Sequence, residues 1–417
     1  MKDFIQLSKD VEDYVIGIRR RLHKQPELSM QEEKTMKYVI EKLQQYNIMY
    51  EQIPDGGIIG TVEGGQEGKT LILRADLDAL PMQESSENLT GKKQVVSEVD
   101  GVAHTCGHDA HTAILLGVAK ILSEMREELS GRVLLVFEQG EELGGIGGGV
   151  YNLVNRLNEI GADGVWGLHL KNDLPSGKVS VDPGVRMAGA FVFDVVIHGS
   201  GGHGSRPDLS RSPIDCFHDF YHNLNVMLGS KLNPFSPLTI SVGSLHAGTT
   251  ENIIPESLQF TGTGRYVEYE QAVVAVEKMK EILQTSCNLY DCTYEFIKEP
   301  FARDMIVYNQ EECSKLALQA IEKYIGGEVI QKFPMWMATE PFAFYQKYFP
   351  GIYAFLGIQN EEKGVGAEHH SPYFDVDEKA LKNGVAATLA YTYEFLNTDI
   401  KIDFEREERS VFEFYKK

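Results

Sequence analysis

The stretch AFVFDVVIHG, residues 190 to 199, alternates like a strand with one face on a core and the other in water. It marks a change of pattern that begins at about Met187. After it, SPIDCFHDFYHNLNVML reads as a helix, LTISVGSLH and SLQFTGTGRYV as strands, YEQAVVAVEKMKEIL as a helix and CTYEFIKE as a closing strand. That order, βαββαβ, is the split or ferredoxin-like arrangement, and it predicts a compact α+β domain of about 110 residues over 187–298.

The chain on either side follows another rule. Val11, Val15, Ile18 and Leu22 share a helical stripe over residues 8–24, with Ser8 as its cap and Pro26 beyond its end. Met36, Val39, Ile40 and Leu43 mark a second helix. Short apolar runs then alternate with helical segments: TLILRA (70–75), a helix over 112–125, RVLLVF (132–137) and GVWGLH (164–169). The pattern resumes with a helix near 311–325, the strand GIYAFLGI (351–358) and a long helix from Asp377 to Leu396. Runs this apolar belong to a largely parallel sheet covered on both faces. The expectation is therefore an α/β domain over 1–186 and 299–417, interrupted by the α+β insert.

The 417 residues carry 61 acidic and 40 basic side chains, a net charge of -21. Such a chain offers no broad basic face to nucleic acid or to an anionic membrane. The charged N-terminus lacks the apolar core of a secretory signal, and no stretch approaches the ~20 apolar residues of a membrane span. A soluble, cytoplasmic protein is expected. The five cysteines are odd in number and irregularly spaced, which does not suggest a disulfide framework; Cys287 and Cys292 read as structural.

Polar clusters follow the strands of the larger domain: RADLDALP (74–81), HTCGHDAHT (104–112), EQGEELGG (138–145), His169, and GAEHHSPYF (366–374). Ligands of open α/β sheets gather at the carboxyl ends of the strands, so these clusters are expected to converge. Cys106 and His108 pair a thiol with an imidazole beside a helix N-terminus, which suits a d-block metal. With Glu141, Glu142, His169 and His370 they outnumber what one tetrahedral site uses, and two ions sharing a ligand is the economical reading. Adjacent Glu141 and Glu142 suit a hydrolase, which needs one carboxylate as ligand and another to move a proton. Either Asp76 or Asp78 can orient a ligating imidazole from behind, and either His369 or His370 can ligate. Asp109 and Thr112 read as helix-start residues, His104 and His111 as lining or supporting positions. In the insert, His203 lies in a glycine-rich loop and is a candidate to steady an oxyanion. Asn252, Arg206 and Arg265 are candidate substrate contacts, the arginines for a carboxylate. His23, His198, His218, His222 and His246 read as structural or surface residues.

The ordered set RRRLHKQPELSMQEEKT, LRADLDALPM, HTCGHDAHT, FEQGEE, GLHL, GGHGSRPD, ENIIP and HHSPYFDVDE runs nearly end to end. It resembles the M20 family of metallopeptidases, and within it the amidohydrolase subfamily of hippurate hydrolases, N-acyl-amino-acid deacylases and auxin-conjugate hydrolases. The resemblance implies two divalent ions (zinc, manganese or cobalt) on Cys106, His108, Glu142, His169 and His370, with Glu141 as general base. It implies Asp78 as support of a ligating imidazole and His203 as stabiliser of the tetrahedral intermediate. A lid domain, a homodimer through it, and an N-acyl amino acid or related amide as small-molecule substrate are implied as well. Hydrolysis of a dipeptide or of a peptide's first residue at the same site is the alternative. Gln139 and Gly140 stand where many members carry Pro-Ala, and an arginine-bearing loop follows His203.

Overall fold

The computed structural model describes residues 2–416, which divide into two units. One is built from the chain before Met187, from Tyr308–Pro334 and from the chain after Glu340; the other from Met187–Val307 and Met335–Glu340. The smaller unit therefore runs past the expected end at 298, and it also takes in a short segment near 335 that carries no strand or helix signal in the sequence.

The larger unit is a seven-stranded sheet in the order Met49–Ile53, Gly57–Glu63, Ser130–Glu138, Gln66–Asp76, Gly164–Pro175, Gly351–Gln359, Val179–Ser180. The four long central strands run parallel, and the pairings at both margins are antiparallel. The central strands are buried on both faces. Leu71, Leu73, Val133, Leu135, Trp166 and Ala354 join a core with the helices Glu12–Lys24, His108–Glu124, Glu311–Tyr324 and Leu381–Asn397. Alternate residues such as Ile72, Leu134 and Val165 turn to the other face, where the helices Val150–Ile160 and Phe342–Tyr348 lie against the sheet. Because the four central strands are parallel, their carboxyl ends share one edge.

Two local expectations change. The N-terminal helix is not one segment capped by Ser8 but two, Phe4–Asp10 and Glu12–Lys24. The cap is Asp3, whose side chain accepts from Gln6 N at 2.9 Å, while Ser8 is buried and bonds Ile5 O. The edge hairpin at 49–63 carries no strand signal in the sequence; it completes the sheet against Ser130–Glu138.

The smaller unit is a four-stranded antiparallel sheet, ordered Leu238–Ala247, Ser257–Tyr266, Gly189–His198, Thr293–Lys298. This is the ferredoxin-like arrangement. Phe191, Phe193, Val195 and Ile197 pack with residues of the helices Pro213–Ser230 and Tyr269–Leu289, while the intervening Val192 is exposed. The alternation of 190–199 thus has a direct structural counterpart.

Candidate metal centre

Gly107 separates Cys106 from His108 and caps the helix His108–Glu124 with a left-handed backbone, φ 98°. A Cβ at this position would lie 2.9 Å from Leu170 Cδ1, so glycine alone brings the helix start this close to the neighbouring strand. The helix begins four residues before the expected 112. Asp109 lies in its first turn, but Thr112 does not cap it: the Thr112 hydroxyl donates to Asp76 O at 2.7 Å. His169 lies inside the strand Gly164–Pro175 rather than after it, in register with Phe355.

The pair Glu141 and Glu142 sits on a single 3-10 turn after the strand Ser130–Glu138. Gly140 starts that turn with φ 67°, and its N–H donates to Glu32 Oε1 at 2.8 Å while Gln139 Nε2 donates to Glu32 Oε2 at 2.9 Å. The Gln-Gly dipeptide is thus held by a carboxylate from the start of the helix Glu33–Gln45. Burial pushes the Glu32 carboxyl upward, against the hydrogen bond from Gln139.

These elements bring the implied ligands together. Cys106 Sγ lies 3.5 Å from His169 Nε2; His108 Nε2 lies 3.7 Å from Glu141 Oε2 and 3.8 Å from Glu142 Oε1; His370 Nε2 lies 3.2 Å from Glu142 Oε1. Ligand atoms within 4.8 Å of one another form the groups Cys106–His108–His169 and Cys106–Glu142–His370, which share the thiol. His108, Glu141 and Glu142 form a third such group. His370 has φ 59°, unusual for a non-glycine residue, and its N–H donates to Thr105 O at 3.0 Å. Its neighbour His369 instead faces the rings of His169 and Phe374.

The imidazoles are oriented from behind. His108 Nδ1 lies 3.0 Å from Asp78 O and 3.1 Å from Asp78 Oδ1, which places its proton there and turns the Nε2 lone pair toward the glutamates. His169 Nδ1 donates to Leu170 O at 2.6 Å, leaving Nε2 facing the thiol. Asp76 serves a different histidine. His111 donates Nδ1–H to Asp76 Oδ1 at 2.7 Å and accepts Leu170 N–H on Nε2 at 2.9 Å. Asp76, His108 and His111 also bring ligand atoms close together, but with both His111 nitrogens engaged and Asp76 paired to Arg74 at 2.7 Å, that group is a support.

Electrostatics and satisfaction both fit a cation. Among the described residues, His108 Nε2 and Glu142 Oε1 are buried without a hydrogen bond; they face each other at 3.8 Å, with His370 Nε2 3.2 Å from the same Glu142 oxygen, an arrangement that a shared ion would satisfy. Burial, reinforced by the Glu142 carboxylate, pushes the Cys106 thiol well up. Burial opposes charge on His108, yet Asp76, Cys106 and Asp78 hold its pKa well above the ordinary imidazole range. In the metal-free chain a proton on His108 answers the surrounding acidic groups; divalent ions would take its place and convert the thiol to a thiolate.

Sequence reasoning missed the supports Ser29, Glu32, Glu84 and Lys93, and read His23 as structural or surface without giving it a partner. Ser29 Oγ donates to Asp78 Oδ2 at 2.6 Å, and Glu142 N to the same oxygen at 3.0 Å. His23 is buried between Asp109 and Glu84. The only signal for most of them is their place in RRRLHKQPELSMQEEKT and LPMQE, which no spacing rule connects to the ligands. His104 is fully buried, its pKa lowered by that burial to about 4.

Within the smaller unit, the short strand Gly202–His203 pairs with Ile253–Ile254, and Gly204 N donates to Asn252 O at 2.8 Å, so the His203 and Asn252 loops form one surface. His203 is exposed, and its Nδ1 accepts from Ser205. Arg206 is paired with Asp208 through two bonds of 2.9 and 2.7 Å, which leaves its guanidinium engaged. Arg265 bonds Thr263 Oγ1 and Gly264 O, and burial lowers its pKa.

Five candidate ligands in two groups around one thiol, with a second carboxylate at hand, make the donor set of a metallohydrolase centre. Residues 72–394 match peptidase family M20/M25/M40. The chain is 35% identical to thermostable carboxypeptidase 2 of Saccharolobus solfataricus, over 93% of this chain and 97% of that protein. It is 35% identical to the N-acyl-L-amino acid amidohydrolase of Geobacillus stearothermophilus, over 73% and 81%. It is 34% identical to an IAA-amino acid hydrolase of Arabidopsis thaliana, over 94% and 88%. A solved dinuclear metal binding peptidase of the M20 family from Bacillus subtilis superposes with a TM-score of 0.78 at 29% identity, covering 94% of this chain and 99% of that one. The chain belongs to peptidase family M20/M25/M40, and it is a metal-dependent amide hydrolase.

Proposed function

We propose that the protein hydrolyses the amide of an N-acyl amino acid, using two divalent ions held by Cys106, His108, Glu142, His169 and His370. The observation that carries this reading is the pair of ligand groups joined at Cys106, with Glu141 beside them on the same turn as Glu142. Bound ions would polarise the amide carbonyl and make an attacking water acidic at neutral pH. Glu141, whose carboxylate reaches to 3.7 Å from His108 Nε2, takes the proton of that water and returns it to the leaving nitrogen. Asp78 holds His108 in one tautomer. His203, from this chain or from the partner of a homodimer formed through the smaller unit, steadies the oxyanion.

The relatives' names support the leaving group. Carboxypeptidases, N-acyl amino acid amidohydrolases and IAA-amino acid hydrolases all cut an amide whose nitrogen belongs to an amino acid with a free carboxylate. Arg265, which has no carboxylate hydrogen-bonded to it among the described residues, is the residue we assign to that carboxylate; Asn252, on the His203 surface, is a further contact. Arg206, already held by Asp208, is the weaker choice. Dipeptide or N-terminal peptide cleavage at the same centre is the second reading, supported by the peptidase name of the Bacillus subtilis structure. We assign zinc, manganese or cobalt to the site by its mixed thiolate, imidazole and carboxylate donors. A cytoplasmic location agrees with five cysteines that are all free thiols.

The deciding experiment reconstitutes the full chain with each metal and follows amine release from acetyl-, benzoyl- and fatty-acyl amino acids beside free dipeptides. Turnover of acyl amino acids above dipeptides is expected. Dipeptides cleaved faster than every acyl amino acid would replace the first reading with the second.

A further inference from the structure

Behind the metal centre lies a buried chain of charged groups that the reaction itself does not use. His23 Nδ1 lies 2.8 Å from Asp109 Oδ2 and His23 Nε2 lies 3.0 Å from Glu84 Oε1. Lys93 Nζ lies 2.8 Å from the same Glu84 oxygen and donates to Pro372 O at 2.8 Å. Side chains of His23, Glu84, Lys93 and Asp109 are each 1% exposed or less. Desolvating such a chain costs more than apolar packing of equal volume would, so bulk stability is a poor account of it.

Its two ends explain it better. Asp109 directly follows His108, and Pro372 lies two residues after His370. The His370 segment packs through its neighbour His369 against His169 and Phe374, but the His370 side chain itself is half exposed and its backbone is left-handed. Its backbone anchors are His370 N to Thr105 O at 3.0 Å, and the Pro372 carbonyl, which accepts from Ser85 N at 3.1 Å as well as from Lys93. Ser85 adjoins Glu84, so one loop delivers both donors to that carbonyl. Burial lowers the Lys93 pKa while Glu84 opposes the loss of its proton, and Ser97 N holds the second Glu84 oxygen at 2.7 Å.

We propose that Lys93 is a positioning residue: anchored on Glu84, it pins the Pro372 carbonyl and so sets His370 against the Cys106–His108 arm. It thereby governs affinity for the ion held by Cys106, Glu142 and His370 more than for the ion held by Cys106, His108 and His169. This rests on the two-ion reading above.

The test titrates the metal-free full chain with Co2+ by calorimetry and by the thiolate-to-cobalt absorption band, for the wild type, Lys93→Met and His370→Ala. His370→Ala identifies which equivalent depends on the His370 arm. Lys93→Met is expected to weaken that same equivalent by about tenfold or more, the range for groups that orient metal ligands, and to leave the other within about threefold. Should Lys93→Met alone not fold, the double variant Glu84→Gln/Lys93→Met, which removes both charges together, is expected to show the same selectivity. Two equivalents binding as in the wild type, or both weakening alike, overturn the role of Lys93. A wild type that takes up only one equivalent overturns the two-ion reading, and this proposal with it.

Discussion

Asp78 meets three donors at once: the His108 ring at 3.1 Å, the Ser29 hydroxyl at 2.6 Å and the Glu142 N–H at 3.0 Å. Burial would raise its pKa, but these bonds outweigh it and hold the carboxyl below its ordinary value. Asp78→Ala is expected to lower metal affinity by about 10- to 100-fold, read by competition with a chelator. Glu141→Gln should behave differently, keeping metal content while turnover falls by about 10²- to 10⁴-fold; full activity in that variant would remove Glu141 from the mechanism. At this scale the residue types were legible, since thiol, imidazole and paired carboxylates announce a metal. Residue type alone did not choose between Asp76, the last residue of its strand, and Asp78 just beyond it; the resemblance pointed to Asp78, and the fold sets Asp78 against His108 and Asp76 against His111.

The helix His108–Glu124 shows where local signals mislead. A polar cap is the usual mark of a helix start, but here the cap is a left-handed glycine and the first turn begins with the candidate ligand His108. Gly107→Ala forces a non-glycine residue to φ 98° and puts its methyl 2.9 Å from Leu170 Cδ1. A loss of about 1–3 kcal/mol is expected, measured by urea unfolding of the metal-free protein, together with weaker metal binding through the displaced Cys106. The central strands were legible because complete burial makes them continuous apolar runs. The edge hairpin 49–63 was not, because its first strand alternates irregularly and is mostly exposed, and only pairing with Ser130–Glu138 defines it.

Across the molecule, the buried charges make stability depend on acid. Glu84 is 84 residues into the chain, yet it joins the helix Glu12–Lys24, through His23, to the segment carrying Pro372. Burial opposes its charge, but His23, Lys93 and Ser97 pull its pKa down to about 2. A depressed carboxyl contributes stability that is present above its unfolded value near 4.5 and is lost as pH falls toward 2. His23 has the opposite sign: burial and Arg19 disfavour its charge, but Asp109 and Glu84 prevail and raise it. Its contribution is complete below about pH 6.5 and is lost as pH rises through the raised value. Urea unfolding of the metal-free chain between pH 4.5 and 2 should therefore show falling stability, with a shallower slope in Glu84→Gln.

Local chemistry determined much of this protein by itself. Periodicity marks the βαββαβ insert and the apolar parallel strands, and residue type marks the ligands, because both depend on neighbours a few positions away. The tertiary structure alone decided which candidate ligands gather around the Cys106 thiol, that Asp78 faces His108 while Asp76 faces His111, and that His23, Glu84 and Lys93 lie behind the centre. Those pairings join residues as far apart as Lys93 and Pro372. No sequence period encodes such contacts; they exist only once the parallel strands bring their carboxyl ends to one edge and the helices close over the charges behind it.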